Sequence, residues 1–88
     1  MHLGRVIGTV VSTSKDQSLS GSKLLIVARL NEKTEPDGFT EIAVDTVGAG
    51  HGEIVIVTTS SAARMTESLD GSVADASIVG IVDTVETH

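Results

Sequence analysis

Three segments of this chain read as β-strands that are apolar on both faces. In residues 23–30, Leu24, Ile26, Ala28 and Leu30 share one face, while Leu25 and Val27 lie on the other between Lys23 and Arg29. Residues 53–59 contain the run Ile54, Val55, Ile56, Val57. The last strand starts at Asp75 or Ser77 and ends at Glu86, with Ile78 and Val82 on one side and Val79, Ile81 and Val85 on the other. Successive side chains of a strand point to opposite faces. A short antiparallel barrel has a filled interior and a wet exterior, so its strands should alternate apolar and polar. Leu25, Val27 and one face of each of the other two runs therefore have no place inside one small barrel. Each fully buried Val, Leu or Ile is worth about 1.5–3 kcal/mol over leaving it exposed. The economical solution is self-association through the outer face, with Leu25 and Val27 as candidate interface residues. The competing solution is that loops 14–22 and 31–39 fold back over the surplus.

The rest of the chain fits the same class. Valine, isoleucine and threonine fill 29 of 88 positions, a share that points to a mostly β protein. Residues 3–13 read as a first strand, with Val6 and Val10 on one face and Ile7 and Val11 on the other. Gly4 and Gly8 fall on the Val6 face, where small residues let a strand bend or another backbone approach. Residues 40–45 alternate: Ile42 and Val44 point one way, Glu41, Ala43 and Asp45 the other. Pro36-Asp37-Gly38 is a turn signal, Ser60 is placed to cap a helix, and residues 61–67 suit one short helical segment. Five strands, early glycine bends and one helix after strand four predict an all-β, five-stranded barrel of the oligonucleotide-binding type, spanning 1–88 as a single domain. A small sandwich is the alternative.

Composition removes several functions. A formal charge of −6 argues against a phosphate-backbone binder, and a single aromatic, Phe39, leaves no stacking platform for single strands. There is no cysteine, hence no disulfide and no thiolate metal site. His2, His51 and His88 lack partners at zinc-ligand spacing. Gly48-Ala49-Gly50-His51-Gly52 misses the dinucleotide fingerprint, since Glu53 stands where the third glycine belongs and a strand follows. No serine sits in a nucleophile elbow, and the carboxylates are dispersed. The chain is read as a non-enzyme with no cofactor, no metal, no nucleic-acid partner and no membrane span. The N-terminal residues lack a signal-peptide pattern, and the expected location is the cytoplasm.

The order of segments resembles the EutN/CcmL family, the pentameric vertex proteins of bacterial microcompartment shells. Lys23-Leu24-Leu25-Ile26-Val27 is similar to that family's second strand. The most specific block is Val44-Asp45-Thr46-Val47-Gly48-Ala49-Gly50-His51-Gly52-Glu53-Ile54-Val55, which resembles its A-D-x-x-G-A-G-x-G-E-x-V motif. Ser61-Ala62-Ala63-Arg64 and the tail from Val73 to Asp83 match in order; Ser60 and Ala74 depart from the family pattern near loops. The resemblance implies a cyclic homopentamer at the five-fold vertices of a shell otherwise tiled by hexameric and trimeric proteins. It also implies that Gly48, Ala49, Gly50, His51 and Gly52 are candidates for the central axis or pore, and Glu53 and Arg64 for intersubunit polar contacts. The alternative functions are a barrel that binds single-stranded nucleic acid or a small ligand in its mouth.

Overall fold

A computed structural model describes residues 1–11, 21–59 and 75–88. Five strands form a closed barrel: β1 (His2–Val10), β2 (Lys23–Leu30), β3 (Pro36–Asp45), β4 (Ile54–Thr59) and β5 (Ala76–Val82), in the order β1-β2-β3-β5-β4. All neighbouring pairs are antiparallel except β3 and β5, which run parallel over a short stretch at Val44↔Ser77 and Asp45↔Ile78. The expected helix over 61–67, its cap Ser60 and the candidate contact Arg64 lie outside the described residues. Among the described residues no helix is long and apolar enough to cross a membrane.

The interior is built mainly from small and β-branched side chains: Val6, Leu25, Val27, Ala43, Val55, Val57 and Ile78 form one buried cluster with Ala49 and Ala76. Leu25 and Val27 are 1% and 0% exposed within the single chain. The expectation that they face outward is corrected: they are core, and Leu24 and Ile26 take the outer face of β2. Lys23 and Arg29 made the Leu25–Val27 face look solvated. They share that inward-facing side but stand at the two ends of the strand, where a short barrel opens to water. Lys23 Nζ donates to the Ala49 carbonyl oxygen at 3.2 Å, and Arg29 Nε lies 3.3 Å from Asp37 Oδ2. The same holds on β3, whose inner face is Glu41, Ala43 and Asp45. Ala43 is core, Glu41 pairs with His2 at one end, and Asp45 holds a loop at the other.

Three register shifts change which residues share a face. Val6 pairs with Val27 but Gly8 pairs with Ile26, leaving Ile7 as the extra residue of β1. Beyond this bulge Gly8 and Val10 lie with the outward Ile26 and Leu24, so Gly8 is not on the Val6 face as expected. On β5, Ile78 pairs with Val57 and Gly80 with Ile56, so Val79 is the extra residue. Ile78 is therefore inside while Val82, opposite Ile54, is outside. The third shift falls between Ala28 and Leu30, where β3 contributes Asp37, Gly38 and Phe39 against Arg29. Pro36-Asp37-Gly38 is thus part of β3. The reversal lies at 31–35, where Asn31 Oδ1 accepts from Lys33 and Glu35 backbone N–H groups and Thr34 adopts φ 60°. Gly38, at φ 96°, supplies the left-handed residue that the bulge needs.

Candidate functional site

The glycine loop between β3 and β4 is held from both ends by carboxylates. Asp45 Oδ1 accepts from the N–H groups of Val47 at 3.0 Å and Gly48 at 3.1 Å, and Oδ2 accepts from Ala49 N–H at 2.9 Å. Glu53 Oε1 accepts from Gly50 N–H, and Glu53 N–H donates back to the Gly50 carbonyl oxygen at 3.2 Å. An ionised acceptor makes such bonds roughly twice as strong as neutral ones. Gly48 and Gly52, at φ 81° and 85°, turn the chain between these anchors. The loop is also stitched to β1: Gly52 N–H donates to Val6 O at 2.8 Å, Val6 N–H to Glu53 O at 3.0 Å, and Arg5 Nη1 to Gly52 O at 2.8 Å.

The expected loop residues thus separate into two groups. Ala49 is 0% exposed and its side chain belongs to the core, so it lines no opening. His51 and Gly48 are exposed, and Gly52 stands beside His51 at the loop's tip. Glu53, expected to reach a neighbouring subunit, uses one carboxylate oxygen to brace its own loop. Asp45, which the sequence placed only as a strand residue, is the loop's main anchor. Its position two to four residues before the N–H groups of Val47, Gly48 and Ala49 is the signal that short side-chain-to-backbone bonding would have used.

Outward apolar side chains are plentiful. Ile42 is 55% exposed and Ile7 45%, while Leu24, Ile26, Ile54 and Ile56 are half-buried. Where β3 and β5 diverge there is an open recess of about 640 Å³, lined by Ile26, Thr40, Glu41, Ile42, Thr59, Asp75 and Ala76. Among the described residues its lining offers no nucleophile–base pair. Among the described residues no three His, Asp or Glu side chains gather to hold a metal ion. The described residues offer contact surface and a braced loop, with no chemistry assembled among them.

The family model described as ethanolamine utilisation protein EutN/carboxysome matches residues 1–83. This chain belongs to the EutN/CcmL family. The shell vertex protein GrpN of Rhodospirillum rubrum microcompartments is 69% identical over 87 residues, covering 99% of this chain and 98% of that one. The carboxysome shell vertex protein CcmL of Synechocystis is 49% identical over 85 residues, covering 97% and 85%. The solved structure of the R. rubrum pentameric shell protein GrpN superposes with a TM-score of 0.92, at 68% identity over the whole of both chains. These EutN/CcmL relatives are structural shell proteins, and the reading of this barrel as a single-strand binder finds no support among them.

Proposed function

We propose that this chain is a structural shell protein, a homopentamer that caps five-fold vertices of a bacterial microcompartment in the cytoplasm. The observation that carries the proposal is its 69% identity, across nearly all of both chains, to a shell vertex protein whose solved structure is pentameric. The physical reading agrees. A barrel that exposes Ile7 and Ile42 has unspent apolar surface, and neighbouring copies are the simplest cover. Curvature follows from symmetry, because flat hexagonal layers close only where five-fold units replace six-fold ones. The partners would be hexameric and trimeric shell proteins, with no catalytic step at this subunit. The loop 48–52, stiffened by Asp45 and Glu53, is the candidate rim of the ring's axis. Coexpression with hexameric and trimeric shell proteins tests this role. Closed polyhedra are expected with the chain, and open or incompletely capped shells without it. Equal closure in both samples would rule the vertex role out.

A further inference from the structure

Resting on the pentamer reading, the barrel's registers assign the two faces that join neighbours. A cyclic ring of identical chains is held by a heterologous contact, in which one patch of each subunit meets a different patch of the next. Two separate outward apolar rows are needed, and the described strands supply two. The first crosses β1, β4 and β5 as Leu3↔Ile56↔Gly80, with Arg5↔Ile54↔Val82 one pleat away. The second crosses β1, β2 and β3 as Gly8↔Ile26↔Ile42. Cross-strand partners share a face.

Both rows have the same construction. An added Cβ on Gly80 would stand 3.3 Å from Ile56 Cδ1, and one on Gly8 would stand 3.3 Å from Ile26 Cδ1. In each row an isoleucine lies across bare backbone, giving a low apolar shelf that another subunit can approach closely. The rows centre on β4 and β2, which flank β1 in the closed barrel. Faces two strands apart in a five-stranded barrel look outward at an obtuse angle, as do the two neighbours of any member of a five-fold ring. We infer that the Leu3–Ile56–Gly80 row of one copy packs on the Gly8–Ile26–Ile42 row of the next.

The test breaks one face at a time. Native mass spectrometry at micromolar concentration would be run on Ile42→Asp and Ile56→Glu, with circular dichroism confirming the β fold. Each variant alone should lose the pentamer and run as monomer. Mixed in equal amounts, they retain one good face each, so a one-to-one heterodimer should appear that neither forms alone. If Ile56→Glu fails to fold, Gly80→Gln replaces it, since the atom nearest its added Cβ would be the movable Ile56 Cδ1, at 3.3 Å. Either folded single variant remaining pentameric would overturn the assignment, as would a mixture that stays monomeric. A wild-type chain that forms no pentamer would instead remove the vertex reading itself.

Discussion

Gly4→Ala should destabilise this protein strongly. A Cβ at position 4 would lie 2.2 Å from Val27 Cγ1, and Val27 is 0% exposed at the centre of the barrel. Valine is stiff about its first side-chain torsion, so it cannot swing aside. The Ala28 carbonyl oxygen at 3.4 Å and Val57 Cγ2 at 3.6 Å close the remaining directions. Overpacking of this kind costs about 1–3 kcal/mol and sometimes more; the upper end is expected here. For a chain of this length that corresponds to a fall in melting temperature of roughly 10 °C or more. Gly8→Ala is the control. The three atoms nearest its added carbon would all belong to Ile26, first the movable Cδ1, so within the chain a change of about 1 kcal/mol or less is expected. Thermal melts of both substitutions in the monomeric Ile42→Asp background, at one fixed protein concentration, separate the two without a contribution from the subunit interface. Equal small shifts would mean that Val27 does not fill the space over Gly4.

Asp45→Ala should release the glycine loop while leaving the barrel folded. Three backbone N–H groups lose an ionised acceptor at once. Those of Val47 and Gly48 are exposed and can turn to water, whereas that of Ala49 is partly buried and has no such recourse. A local loss of about 2–3 kcal/mol follows, because bonds to charged groups contribute about 1.5–3 kcal/mol and two of the three are replaced by solvent. Asp45→Asn keeps one carbonyl oxygen and should give a smaller effect. The readout is amide hydrogen exchange at 47–49, which should accelerate by at least about tenfold in the alanine variant. Unchanged protection there would show that Glu53, Lys23 and the β1 contacts hold the loop without Asp45.

Much of the barrel is visible in the chain as strand positions, glycines and turn residues. The surplus of apolar strand was real, but the sequence misdirected its location. On β2 both faces are apolar, and Lys23 and Arg29 suggested solvent for the side that turned out to be inside. The error has a physical source: in a barrel only a few residues tall, the ends of an inward face are wet, so charge there does not mark an outer face. The bulges at Ile7 and Val79 were invisible for a related reason. A run apolar on both sides gives no alternation against which a one-residue slip would stand out. The turn at 31–35 lacks glycine and is built on Asn31, so the stronger Pro36-Asp37-Gly38 signal drew attention to a strand bulge instead. The glycine loop reads as a turn with positive φ angles, which Gly48 and Gly52 adopt, yet its anchor at Asp45 passed as a strand residue. Neighbouring subunits leave no periodic mark, so the inferred pairing of apolar rows rests on the registers.

The central claim is that this small barrel is one member of a five-fold ring. The most direct measurement is the native mass of the purified chain across micromolar concentrations. A species at five times the 9.1 kDa chain mass, persisting on dilution through that range, is the predicted result. A monomer throughout, with the β fold intact by circular dichroism, would contradict it.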